Sequence, residues 1–115
     1  MYVDFTKSQQ RIARTLIETG LQRECENFIK KIGTFTQSAN YQFGDPHKVY
    51  LELYKKVNSF DKHIARRYND MRNSILYMTV LTLFYEKVLL PEDIAAFDKE
   101  VQNALIKYVE DLDKE

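Results

Sequence analysis

Two histidines, one cysteine and 17 acidic residues are the side chains that could hold a metal ion in this sequence. A di-iron helical bundle needs Glu-x-x-His pairs, but the residues three positions before His47 and His63 are Gly44 and Phe60. Asp61 and His63 could supply two ligands, yet no third ligand is evident. We therefore expect no metal and no other cofactor, and His63 is interpreted as a surface or rim residue.

The single cysteine, Cys25, offers no route to covalent chemistry. It lies on an apolar stripe, where a cysteine behaves as a small hydrophobic residue, and neither histidine is near it in sequence. The sequence also lacks a Gly-x-Ser-x-Gly motif and a Walker-type phosphate loop. An enzyme is therefore the less expected class, although these observations do not exclude one.

The densest polar cluster extends from Lys62 to Arg72 and could bind nucleic acid. Basic residues at helical spacing form a stripe that could follow phosphates, with each contact sensitive to salt. Glu52, Asp61 and Asp70 dilute this charge, so the stripe could equally be an ordinary solvated face. Both interpretations stay open. The nucleic-acid candidates are Lys55, Lys62, His63, Arg66, Arg67 and Arg72.

Residues 72–77, Arg-Asn-Ser-Ile-Leu-Tyr, resemble the Arg-Asn-x-x-x-His motif of the HEPN ribonucleases, which are small helical bundles that often dimerise. In that family the arginine and the histidine cut RNA together. Tyr77 stands where the family has histidine, and tyrosine cannot replace imidazole as a base near neutral pH. The resemblance therefore implies a non-catalytic relative associated with RNA.

The turn-rich segment 33–45 is the second candidate site, because it combines a lack of helical period with three aromatic residues. These aromatic side chains are either a lid over the core or anchors for a protein partner, since aromatic residues dominate binding hot spots. Two tyrosines, one turn apart on the following helix, could extend the patch. The protein-interaction candidates are Phe35, Tyr41, Phe43, Tyr50 and Tyr54.

Apolar stripes with a period near 3.6 predict four helices, at residues 6–32, 46–71, 74–88 and 91–112. Thr6 and Gln9 have the capping-box spacing, Gly33 predicts a helix end, and Asp45-Pro46 predicts a helix start. The third predicted helix is apolar nearly all round, which indicates a central, buried position. Short connections favour antiparallel neighbours, so we predict an all-α, up-down four-helix bundle with one long loop between helices one and two.

Composition and charge are consistent with one domain over residues 1–115. The net charge of zero hides a division: residues 1–72 carry +5 and residues 73–115 carry −5. The start of the sequence has no charged region followed by an apolar run, and the apolar stretch 75–85 is short of the roughly 20 residues that span a bilayer. We therefore expect a cytoplasmic protein without a membrane partner.

The expected function is a non-enzymatic interaction or regulatory module that associates with itself, as a homodimer, or with another protein. In a dimer, the basic second helix of one chain could meet the acidic fourth helix of the other, which would account for the division of charge. The alternative function is association with RNA or DNA through the basic face of the second predicted helix.

Overall fold

The computed structural model describes residues 4–38 and 45–114, and 82% of these residues are helical, with no strand among them. The all-α prediction is therefore confirmed. The helices in the described part of the chain are α1 (Lys7–Gln37), α2 (Pro46–Tyr68), α3 (Asn73–Tyr85), α4 (Pro91–Ile94) and α5 (Lys99–Asp113).

Two helix starts follow directly from the local sequence. At the start of α1, the Thr6 amide donates to Gln9 Oε1 at 2.8 Å and the Gln9 amide donates to Thr6 Oγ1 at 3.1 Å, which is the predicted capping box. At the start of α2, the Asp45 side chain accepts a hydrogen bond from the His47 amide at 3.0 Å, and Pro46 occupies the first helical turn. Both predictions are confirmed.

The predicted helix end at Gly33 is wrong, because α1 continues to Gln37. Neither Gly20 nor Gly33, the two described glycines, has the positive φ that typically ends a helix at a glycine. In this last turn the Thr36 hydroxyl donates to the Ile32 and Gly33 carbonyls at 3.1 and 3.0 Å. The first part of the predicted loop 33–45 is therefore helical.

The predicted fourth helix, 91–112, is also corrected, because it is divided into α4 and α5. The Asp98 side chain accepts a hydrogen bond from the Val101 amide at 3.1 Å and so caps a new helix. Ile94, Phe97 and Val101 are all buried although the helix is interrupted between them. Their spacing mimics one continuous helical face, which explains why the periodicity did not reveal the break.

The chain divides into two compact units, and the first of them contains almost all of the apolar core. Unit 1 consists of Met1–Leu21 and Asp70–Glu115. Helix α3 supplies more buried residues than any other described helix, as its apolar composition predicted. The largest fully buried side chains of unit 1 are Ile17, Leu76, Tyr77, Val80, Leu81, Leu83, Leu89, Ile94, Val101 and Leu105.

Unit 2, Gln22–Asn69, contains the C-terminal half of α1 and the whole of α2. Phe28 and Phe60 stack face to face across these helices, with ring centroids 4.1 Å apart. Among the described residues of this unit, Tyr68 alone is buried. Unit 2 is therefore a helix pair with little apolar core of its own. The prediction of a single domain over residues 1–115 stays a prediction.

Candidate interaction surfaces

A polar cluster in unit 2 gathers three donors around one carboxylate. Glu24 on α1 accepts hydrogen bonds from His63 Nε2 at 2.8 Å, from Arg67 Nη1 at 2.9 Å and from the Tyr68 hydroxyl. His63 and Arg67 are four residues apart on α2 and are therefore neighbours on its surface, and Tyr68 follows Arg67 directly. The side chains of Glu24 and Arg67 are each 14% exposed, so this ion pair is largely shielded from water.

The pKa values of Glu24 and Tyr68 favour the protonation states that allow their hydrogen bond near neutral pH. Burial raises the pKa of Glu24, but the hydrogen bonds from Tyr68, His63 and Arg67 and the charge of Arg67 outweigh burial and lower it below its ordinary value. Burial and the adjacent carboxylate raise the pKa of the Tyr68 hydroxyl. Glu24 is therefore ionised and Tyr68 protonated, which is the state in which the hydroxyl donates to the carboxylate.

The cluster alters the predicted nucleic-acid face of α2. His63 and Arg67 bind Glu24, so the charge of Arg67 is balanced within the chain. Lys62 and Arg66 remain exposed. The sequence did not single out Glu24, because it lies 39 positions from His63 and only the packing of α1 against α2 brings them together.

Arg72, the last nucleic-acid candidate, lies in unit 1 and is engaged locally. Its guanidinium donates to both carboxylate oxygens of Asp70, at distances from 2.7 to 3.2 Å. The Arg72 side chain and its amide lower the pKa of Asp70 by donating these bonds. Arg72 and Asp70 are two residues apart in the chain, so this ion pair is local.

A shallow pocket of about 360 Å³ opens between the two helices of unit 2. Its walls combine aromatic rings with lysines and a hydroxyl, from Phe28, Lys31, Ile32, Phe35, Lys55, Lys56 and Ser59. The Lys56 ammonium lies 5.0 Å from the centre of the Phe35 ring, within the range of a cation–π interaction. Lys55 forms an exposed ion pair with Glu52 at 3.5 Å. The sequence did not predict that Lys31 of α1 joins the basic residues of α2.

The two units carry opposite net charges. Unit 2 contains nine Lys and Arg against five Asp and Glu, or +4, and unit 1 contains eight against twelve, or −4. This separation of charge is slightly smaller than the +5 and −5 on either side of residue 72. Unit 2 is the basic part of the molecule.

The aromatic candidates occupy different environments. Phe35 lies in α1 and is half-buried, while Tyr41 and Phe43 lie outside the described residues. Tyr50 and Tyr54 are each 60% exposed. Two aliphatic residues near them on α2 are also exposed, and we call this set the α2 stripe: Tyr50, Leu51, Tyr54 and Val57.

No family model, curated protein or solved structure matches this chain. Its function must therefore be inferred from the surfaces of units 1 and 2. In residues 4–38 and 45–114, no group of three or more His, Cys, Asp or Glu side chains could hold a metal ion. The helices of the same residues include none long and apolar enough to cross a membrane.

The residues of the HEPN-like motif have separate structural roles in unit 1. Tyr77, at the position of the family's histidine, is buried and packs edge-on against Phe5 with ring centroids 5.6 Å apart. Arg72, at the position of the family's arginine, is exposed. Asn73 Oδ1 accepts a hydrogen bond from Arg14 at 2.7 Å. The resemblance is therefore limited to the six residues 72–77 of the sequence.

Proposed function

We propose that this chain is a non-enzymatic interaction module that associates with a second copy of itself through the α2 stripe. The observation that carries the proposal is the exposure of Tyr50, Leu51, Tyr54 and Val57 on a helix pair whose only buried described residue is Tyr68. Contiguous exposed apolar patches mark interaction sites, and aromatic residues are the usual anchors of such sites.

A second copy is the proposed partner because most homo-oligomers are symmetric dimers in which one patch meets itself. The α2 stripe suits this arrangement, since its two tyrosines can stack across a two-fold axis.

Analytical ultracentrifugation at several concentrations tests the proposal. We expect about twice the 13.7 kDa monomer mass at high concentration. Tyr50→Ser with Tyr54→Ser should raise the dimer Kd by about 30-fold or more, since losing a hot-spot side chain costs roughly 2 kcal/mol or more. Tyr85→Ser is the matched control, because Tyr85 is an exposed tyrosine of unit 1. A wild-type chain that remains monomeric at 100 µM would refute self-association.

The aromatic residues of the predicted loop are tested in the same way. Tyr41→Ala with Phe43→Ala should shift the dimer towards monomer and leave the helical circular dichroism signal unchanged if these rings are interface anchors. Unfolding of this variant would instead indicate that the rings belong to the core.

Nucleic-acid binding is the second candidate function, and the basic pocket of unit 2 favours it. Lys31, Lys55 and Lys56 surround aromatic rings on which a base could stack, and Lys62 and Arg66 are exposed on the same helix. Binding to short single-stranded RNA should weaken steeply between 50 and 200 mM salt. Lys62→Glu with Arg66→Glu should abolish binding, whereas absence of binding at 50 mM salt and micromolar protein would exclude this function.

The finer predictions from the sequence belong to the same proposal. They are the up-down four-helix bundle, the single domain, the cytoplasmic location and the non-catalytic relation to HEPN proteins. A solution structure of the dimer by NMR would test the first two, and RNA binding would test the last.

A further inference from the structure

The exposed face of α2 has Tyr54 at its centre, with apolar residues on either side of it and a polar residue at each end. His47 lies seven residues before Tyr54 and Asp61 lies seven residues after it, and both are exposed. Seven residues are close to two helical turns, so these three side chains follow one line along α2. Tyr50 and Val57 continue the apolar part of this line on either side of Tyr54.

The two polar ends of this line are available for contact with another molecule. Neither the His47 nor the Asp61 side chain forms an ion pair with a described residue. Only the backbone amide of His47 takes part in the Asp45 cap, so its imidazole is not needed to start α2. The imidazole lies beside Tyr50, with ring centroids 6.4 Å apart.

We propose that α2 packs against α2 of the second copy in the antiparallel direction, about a two-fold axis beside Tyr54. This geometry rests on the self-association proposed above. The symmetry places each His47 opposite the partner's Asp61, and it brings each Tyr50 within one residue, about 1.5 Å along the axis, of the position opposite the partner's Val57. The two Tyr54 rings meet at the axis.

The antiparallel direction follows from the order of the two polar residues along the helix. A parallel pair would bring two Asp61 carboxylates together, whereas an antiparallel pair gives each carboxylate an imidazole N–H donor. An imidazole has such a donor in both of its protonation states. The line from His47 to Asp61 extends about 21 Å at 1.5 Å per residue, which is sufficient for a helix-to-helix interface.

Disulfide cross-linking in a Cys25→Ala background tests the register. Tyr54→Cys should form a disulfide-linked dimer under mild oxidation, because residue 54 of one copy lies opposite residue 54 of the other. Tyr50→Cys alone and Val57→Cys alone should not, because the like positions are about 12 and 9 Å apart along the axis and a disulfide needs Cα atoms within about 7 Å. The double variant Tyr50→Cys, Val57→Cys should cross-link.

The outcomes separate this geometry from self-association itself. A dimer in which Tyr50→Cys alone cross-links would be parallel, and a dimer in which Tyr54→Cys fails to cross-link would use another register. Either result overturns the antiparallel pairing and leaves the proposed function standing. A wild-type chain that never dimerises would refute both the antiparallel pairing and the proposed self-association.

Charge substitution provides an independent test that needs no disulfide. His47→Asp places two carboxylates opposite each other at both ends and should raise the dimer Kd about tenfold. Adding Asp61→Lys should return the Kd to within about threefold of wild type, because it restores opposite charges. Failure of this rescue overturns the pairing. Ser59→Asp, with the same added charge away from the α2 stripe, should leave the Kd unchanged.

Loss of folding would not explain the expected weakening by His47→Asp. A carboxylate in the first turn of a helix interacts favourably with the helix dipole, so this substitution should support α2. Circular dichroism of each variant measures this directly.

Discussion

Units 1 and 2 differ in what joins their helices. Unit 1 is held by aliphatic and aromatic side chains, such as Leu76, Leu83 and Leu105, that water does not reach. Unit 2 is joined by the ring stack of Phe28 on Phe60 and by the hydrogen bonds to Glu24. Apolar burial is the dominant favourable term in folding, so unit 1 should supply most of the folding free energy.

The proposed function assigns stability to unit 1 and recognition to unit 2. Two tyrosines, a leucine and a valine of unit 2 are exposed on the surface of α2. Burial of these side chains would have stabilised the unit. Local departures from good packing are expected where a surface serves another purpose. Four experiments test this difference between the two units.

The largest expected effect compares two leucines. Leu83→Ala in unit 1 should lower the free energy of unfolding by about 2–5 kcal/mol, because it removes a fully buried side chain and leaves a cavity. Leu51→Ala in unit 2 removes the same atoms from a position that is 42% exposed, and should cost less than about 0.5 kcal/mol. Urea denaturation at a protein concentration where the chain is monomeric measures both free energies of unfolding. Similar losses would mean that unit 2 also has an apolar core.

The next effect concerns the carboxylate of unit 2. Glu24→Gln should lower the free energy of unfolding by about 1.5–3 kcal/mol, because it weakens hydrogen bonds that involve charged groups. Glu26→Gln is the matched control. The exposed pair of Glu26 with Lys30, at 3.1 Å, contributes only about 0.5 kcal/mol or less. Equal effects of the two substitutions would show that the Glu24 cluster adds nothing to stability.

The same carboxylate predicts a pH dependence. The pKa of Glu24 is lowered in the folded chain, so its stabilisation is present above its ordinary value of 4.5 and is lost as the pH falls through the lower folded value. The difference in unfolding free energy between wild type and Glu24→Gln should therefore be constant from pH 7 to about 5 and shrink below pH 4.5. A difference that grew on acidification would contradict the lowered pKa.

Much of the fold could be predicted because local signals determine it. The caps at Thr6 and Asp45 depend on side chains that bond amides two or three residues away, and the buried α3 is visible in its composition. Glycine was a less reliable signal. Gly33 lies inside a helix, whereas the left-handed residue that follows α3 is Lys87, with φ of 65°.

The candidate sites could be predicted only in part. Tyr50 and Tyr54 are exposed, and their role as interface residues stays a prediction. The role of Glu24 could not be read from one sequence, because a lone glutamate on α1 gives no indication of which residues of α2 it will meet. His63 and Arg67 were recognised as polar residues on one helix, but their partner depends on the packing of two helices.

The smallest expected effect decides between two interpretations of Gly33. Within α1 this residue has a negative φ and open space around it, with no atom within 4 Å of an added Cβ. Gly33→Ala should therefore raise the free energy of unfolding by about 0.5–1 kcal/mol, because alanine loses less conformational entropy in a helix. If Gly33 ended the helix in the left-handed conformation, as the sequence predicted, alanine would instead be destabilising by roughly 1 kcal/mol. Asn27→Ala, at an exposed position of the same helix, calibrates the gain expected from helix propensity alone. Thermal or urea denaturation of the two variants gives the sign of each change in the free energy of unfolding. If Gly33→Ala lowered it while Asn27→Ala raised it, α1 would end near Gly33 and the helices of unit 2 would have less contact.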